Sequence, residues 1–149
     1  MIREAQSNDT EQIVSIVMEF YEEGLKETGL SFDKETIAKT VEIILKDHIF
    51  LVADLGRIVG VIAGLVNHSI FDEKQIIAEE KIWYVKKEFR GSGVAKILFE
   101  SFESKAKSLG ASKIIMAHMS NIMPEKVKGI YKSTGYKDIE SHYIKSVGG

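Results

Sequence analysis

The stretch Arg90-Gly91-Ser92-Gly93-Val94-Ala95 decides how this chain is to be understood. It follows the β-branched and aromatic run Ile82-Trp83-Tyr84-Val85 and opens an amphipathic run from Val94 to Leu109. Within that run Val94, Leu98, Phe102 and Ala106 recur at i, i+4, the spacing of one helix face. A glycine-rich turn between a strand and a helix points several backbone N–H groups and the positive end of the helix dipole at one spot, which suits a phosphate. An anionic ligand is the first expectation.

Spacing argues against three common phosphate loops. A Walker A loop needs a glycine immediately before its lysine, yet Ala95 precedes Lys96 and no Ser or Thr follows. The dinucleotide fingerprint needs Gly or Ala where Lys96 stands, and it belongs to a first βαβ unit. A kinase glycine loop shares the spacing but needs far more chain behind it. What remains is Arg-x-x-Gly-x-Ala.

That pattern resembles the pyrophosphate loop of the acyl-CoA N-acyltransferases related to Gcn5, the GNAT superfamily. The resemblance covers nearly the whole chain. Met1-Ile2-Arg3-Glu4-Ala5 with Asp9 is similar to the family's first strand and helix cap, and Arg57-Ile58-Val59-Gly60-Val61-Ile62-Ala63-Gly64 to its central hairpin strand. Tyr131-Lys132-Ser133-Thr134-Gly135-Tyr136 is similar to its last helix and following strand. Glu79-Glu80-x-x-Trp83-Tyr84-Val85 before Arg90-Gly91 most resembles a branch often met in bacteriophages and prophages. The resemblance implies an α/β fold in which helices flank a mixed, mostly antiparallel sheet as an α/β/α sandwich. It also implies acetyl-CoA as the acetyl donor.

Composition is compatible with this and names no chemistry. The 149 residues suit one domain spanning 1–149, with 44% hydrophobic and 28% charged residues, values of an ordinary globular protein. A net charge of -2, with lysines interspersed among carboxylates, gives no long-range attraction for nucleic acid. There is no cysteine, so disulfides, a thiol nucleophile and cysteine-ligated zinc are excluded, and an acyl group cannot pass through an enzyme thioester. No apolar run approaches the roughly 20 residues of a membrane helix, and the N-terminus lacks a signal core, so a cytoplasmic location without membrane association is expected. The expected partners are an amine acceptor, small molecule or protein, and a second copy if the chain forms a homodimer.

Periodicity places a strand over Ile2–Ala5, a helix from Asp9 or Thr10 to about Glu23, and a second helix over Lys34–Lys46. A hairpin of Phe50–Ala53 and Ile58–Val66 follows, then a strand over Glu79–Lys86, the helix from Val94, a strand over Lys113–Met119 and a helix over Glu125–Ser133. Tyr136–Lys145 is the expected last strand. Gly24 and Gly29 are expected to break the chain after the first helix.

The candidate cofactor residues are Trp83, Tyr84 and Val85 on the strand, Arg90, Gly91, Ser92, Gly93, Val94 and Ala95 in the loop, and Asn121. Arg90 offers a fork for bidentate bonds to a pyrophosphate, or is a solvated surface charge. Ser92 lacks the glycines of a nucleophile elbow and is a loop hydroxyl. The family resemblance implies that the N–H of Val85 or its neighbour polarises the thioester carbonyl. It also implies that Asn121 bonds the pantetheine arm, although its distance from Tyr131 is longer than usual and it could simply start a turn.

For catalysis the resemblance implies Tyr131 as the acid that protonates the departing sulfur. A phenol of pKa about 10 stays protonated where a thiolate of pKa about 8.5 needs its proton. The alternative for Tyr131 is ring packing in the core. Glu79 and Glu80 are adjacent on a strand and so point to opposite faces; one of them could take the acceptor's proton, and the sequence leaves both open. Glu19, Glu22 and Glu23 could form an acidic wall attracting an ammonium group. His48, His68, His118 and His142 form no metal-ligand spacing, so no metal is expected. The competing reading is a CoA-binding module of this fold that acts through protein contacts without turnover.

Overall fold

The computed structural model describes residues 1–148. Five strands form one sheet in the order β1-β2-β3-β4-β5, where β1 is Ile2–Glu4, β2 Ile49–Asp54, β3 Ile58–His68, β4 Ile76–Val85 and β5 Lys113–Ile115. All neighbours are antiparallel except β4 and β5, which are parallel. Four helices, α1 Thr10–Phe20, α2 Lys34–Asp47, α3 Val94–Ser108 and α4 Pro124–Ser133, complete the mixed α/β architecture expected from the sequence.

The sheet is buried on both faces, which explains the near-continuous apolar runs of β2 and β3. On one face Ile13 and Ile16 of α1 and Val41 and Ile44 of α2 pack on Phe50, Val52, Val61, Ala63, Ile82 and Tyr84. On the other, Leu98, Phe102 and Ala106 of α3 pack on Ile49, Leu51, Ile62, Ala78 and Val85. The i, i+4 stripe of α3 is thus its buried face.

One irregularity positions the site. Ala63 pairs with Ile82 but Gly64 pairs with Glu80, so Lys81 bulges out of β4 without a partner. Gly64 is required there by close approach. A Cβ on it would stand 2.6 Å from the Glu79 carbonyl oxygen and 2.7 Å from Phe102 Cζ. Gly64→Ala is expected to cost about 1–3 kcal/mol by overpacking, measured as a lower urea midpoint at unchanged slope.

Four expectations need correction. First, Asp9 and Thr10 do not cap α1 through their side chains; the Asp9 carboxylate instead accepts two bonds from Arg3, at 2.7 and 2.9 Å, and one from Gln6 N. Second, Gly24 does not break the chain. It lies inside a single π turn, Tyr21–Leu25, that continues α1, and it is small because Ile122 packs on it; Gly29, at φ +83°, ends the segment. Third, β5 stops at Ile115, because the next available backbone groups, at Ala117, are bonded by side chains: Glu80 accepts from its N–H and Tyr131 donates to its carbonyl. Fourth, 136–145 forms no strand. β5 offers a ladder only three residues long, and Ile139 and Tyr143 stay 70% and 95% exposed.

Candidate active site

The site begins where β4 and β5 part. β5 pairs only with Ile77, Ala78 and Glu79, so the outer edge of β4 from Glu80 to Val85 has no strand beside it. Lys86 N donates to Val59 on β3, and the alternation along a strand turns the backbone groups of Val85 the other way, toward the open edge. A cleft opens there. It is walled by Trp83, Tyr84 and Val85, by Arg90, Gly91 and Ala95 of the loop, and by Ile122, Met123, Lys126, Val127 and Ile130 at the start of α4.

The loop holds its amides ready for an anion. Gly91 and Gly93 have φ of +84° and +91°, the left-handed region that favours glycine, and open space surrounds the Cβ position of each. Ser92 is used inside the loop, where its N–H and hydroxyl both donate to the Phe89 carbonyl. Gly93 is the N-cap residue of α3 and no side chain caps that end, so the first-turn N–H groups from Val94 onward keep their donors free of helix partners.

Glu79 and Glu80 are consecutive in the ladder just before the bulge at Lys81, so strand alternation turns them to opposite faces and gives them different environments. Glu79 is half exposed and paired with Lys81 at 2.8 Å. Glu80 is only 8% exposed, and its Oε2 accepts from Ala117 N at 3.1 Å. Burial pushes the Glu80 carboxyl up to about 7, against the bond from Ala117, which favours the charged form. Tyr131 converges on the same residue, its hydroxyl donating to the Ala117 carbonyl at 2.5 Å. Burial, and then the nearby Glu80, raise the Tyr131 phenol well above its ordinary value, so it stays protonated.

An aromatic cluster holds Tyr131 in place. Its ring lies 6.2 Å from Phe99, 5.5 Å from Tyr136 and 6.3 Å from Trp83, which itself stacks on Phe99 at 5.4 Å. Trp83 Nε1 is buried with no hydrogen-bond partner, the one such side-chain atom among the described residues.

Arg90 lies at the cleft, but its fork faces the protein. Nη1 and Nη2 donate to the two oxygens of Glu23 at 2.9 and 2.8 Å, Nε donates to the Val85 carbonyl at 3.0 Å, and the guanidinium stacks 5.1 Å over the Tyr84 ring. The Tyr84 hydroxyl donates to the same Glu23 carboxylate at 2.7 Å. The expected acidic wall is likewise occupied: Glu19 pairs with Lys86, Glu22 with Lys26 and Glu23 with Arg90. These carboxylates are neutralised by neighbours, so no unpaired negative wall remains among them.

Asn121 sits in the loop between β5 and α4, and its Nδ2 donates to the Gly24 carbonyl at 3.2 Å. It ties that loop to the end of α1. His48 serves the fold, its Nδ1 accepting from Val66 N. No three His, Cys, Asp or Glu side chains among the described residues are placed to hold a metal ion. Sequence reasoning missed the α4 wall. Val127 and Tyr131 stand at i, i+4 with Ile130 beside them, so helical spacing counted from Tyr131 would have found it.

This combination of a splayed β4–β5 pair, a bulge and a glycine loop leading into a helix defines a class of protein. The profile of the Acetyltransferase (GNAT) family matches residues 10–135. The chain belongs to that family. Solved structures agree in fold: an acetyltransferase of Trypanosoma brucei has TM-score 0.75 at 16% identity, covering 99% of each chain. A ribosomal-protein-alanine N-acetyltransferase of Brucella melitensis has TM-score 0.77 at 17% identity, covering 99% of this chain and 98% of its own. A glucosamine-6-phosphate N-acetyltransferase of Arabidopsis thaliana has TM-score 0.74 at 18% identity, again covering 99% and 98%. No curated protein matches the chain at a significant level. Two of these neighbours act on unlike acceptors, so likeness of fold carries no acceptor with it.

Proposed function

We propose that the protein transfers an acetyl group from acetyl-CoA to a primary amine by direct attack in a ternary complex. The observation that carries this reading is the convergence of Glu80 and Tyr131 on Ala117, in the fork that β4 and β5 leave open beside the anion loop. The amides of Gly91 and of Gly93 to Ala95 would hold the pyrophosphate, that of Ser92 being used on the Phe89 carbonyl, and the pantetheine arm would enter along the open edge of β4. There the N–H of Val85 can polarise the thioester carbonyl.

Glu80 takes a proton from the acceptor ammonium, directly or through water, and leaves a neutral amine to attack the thioester carbon. The C–S bond then breaks, and Tyr131 protonates the departing sulfur. Glu79, tied to Lys81 on the outer surface, is left without that role. The run Glu79-Glu80-x-x-Trp83-Tyr84-Val85 followed by Arg90-Gly91 supports a place in the phage and prophage type of the family.

The experiment is a panel of amines, comprising polyamines, aminoglycosides, lysine peptides and amino acids, assayed for acetyl-CoA-dependent release of free CoA thiol. Release with one class identifies the acceptor. Binding of acetyl-CoA without release on any amine would favour the non-catalytic module. Gly93→Val is expected to abolish cofactor binding while the fold persists, because a β-branched residue at φ +91° costs about 1–3 kcal/mol and crowds the anion. Acetyl-CoA titration, with circular dichroism as the fold control, checks this.

A further inference from the structure

Glu23 lies in the π turn at the end of α1, where a carboxylate is disfavoured by the negative end of the helix dipole. It is nonetheless three-quarters or more buried, its side chain 17% exposed, and it receives three hydrogen bonds, two from Arg90 and one from Tyr84. These bonds, the pair with Arg90 first, hold the Glu23 carboxyl below the usual carboxylate range. The arrangement is a ladder: Glu19 and Glu23, one turn apart, face Lys86 and Arg90 in the segment that joins β4 to the anion loop. A π turn in place of a regular one is a common device for presenting a side chain at a functional site.

The consequence lies with Arg90. All three nitrogen positions of its guanidinium are engaged, Nε on the Val85 carbonyl and the fork on Glu23, and its ring stacking fixes the plane. Arg90 is also the residue immediately before Gly91, so pinning it pins the entry to the loop whose Gly91 and Ala95 line the cleft.

We propose that Glu23 is a positioning residue for the anion loop, and that Arg90 serves the cofactor by bracing that loop through Glu23 and Val85, with its fork kept on Glu23 and off the phosphates. This rests on the reading of the loop as the pyrophosphate site. One bidentate pair ties the end of α1 to the end of β4 and the start of the loop, and the amides of Gly91 and of Gly93 to Ala95 are held in advance of binding.

The test uses the full chain and follows the fluorescence of Trp83, the only tryptophan and a cleft residue. Acetyl-CoA is titrated into the parent, Glu23→Gln, Arg90→Gln and the double variant, with S-acetylpantetheine, which lacks the pyrophosphate, as the second probe. Each single variant is expected to weaken acetyl-CoA on the order of tenfold, the double variant no further, and S-acetylpantetheine hardly at all. In steady state the KM for acetyl-CoA rises while kcat at saturation holds. Tyr84→Phe, which removes one hydroxyl bond to Glu23, gives a smaller loss of the same kind and covers the case in which Glu23→Gln does not fold.

If Glu23→Gln binds acetyl-CoA as well as the parent or better while Arg90→Gln weakens it, Arg90 is a phosphate ligand and the inference is overturned. Equal losses for both probes would also overturn it, since they would mark general loosening of the cleft. A parent that binds no acetyl-CoA overturns the pyrophosphate-site reading itself and this inference with it.

Discussion

Replacing Tyr131 with Phe is expected to lower acetyl transfer by about 10²–10⁴-fold at saturating substrates, with little change in stability or acetyl-CoA affinity. The ring stays in the cluster of Trp83, Phe99 and Tyr136, and only the hydroxyl that donates to Ala117 is lost. On the proposed mechanism that hydroxyl is the acid that protonates the sulfur, and burial and the neighbouring Glu80 keep it protonated. Single-turnover rates separate chemistry from product release. Turnover within a factor of about two of the parent, with chemistry limiting, would mean that water or another group protonates the sulfur.

Glu80→Gln has the second large effect, and it acts on rate and stability in opposite directions. With a carboxyl pushed up to about 7, the parent's kcat/KM is expected to rise with pH and level off above that value. The variant is expected to lose about 10²-fold at neutral pH and to recover partly at alkaline pH, as an acceptor amine of pKa near 10 deprotonates unaided. The amide keeps an acceptor oxygen for Ala117 N, so the fork between β4 and β5 persists. If the variant keeps the parent's pH profile, the amine loses its proton elsewhere.

The stability effect follows from the sign of the same shift. Burial raises the Glu80 carboxyl from its ordinary 4.5 to about 7, so between those values the native state holds a proton that the unfolded chain has lost. Native stability from this group is therefore full below about 4.5, falls as pH rises, and is lower by about 3 kcal/mol above 7. Glu80→Gln removes that loss. Urea unfolding is expected to show the variant more stable than the parent at pH about 8 and equal to it at pH about 4.

The long elements were legible in the sequence because their periods were strong. The α3 stripe of Val94, Leu98, Phe102 and Ala106, the β-branched hairpin and the glycine loop between strand and helix were placed from pattern alone. The end of β5 and the unpaired 136–145 segment were not. Their fate depends on which backbone groups find strand partners, and at Ala117 two side chains distant in sequence claimed them. Glu79 and Glu80 could be assigned to opposite faces, but which of them is buried depends on how Lys81 bulges against Gly64, a matter of register between strands. Arg90 was legible as a cation at the loop, whereas its engagement by Glu23 is a contact across 67 positions that no local pattern carries.

The decisive comparison is the mass of the amine product formed from acetyl-CoA by the parent and by Tyr131→Phe. Direct transfer gives an acetylated amine with release of one CoA per transfer, no acetylated protein when the amine is left out, and a product rate lowered at least about a hundredfold in the variant. A stoichiometric burst of CoA with acetyl retained on the protein in the absence of amine, or acetylated amine formed equally fast by Tyr131→Phe, would contradict it.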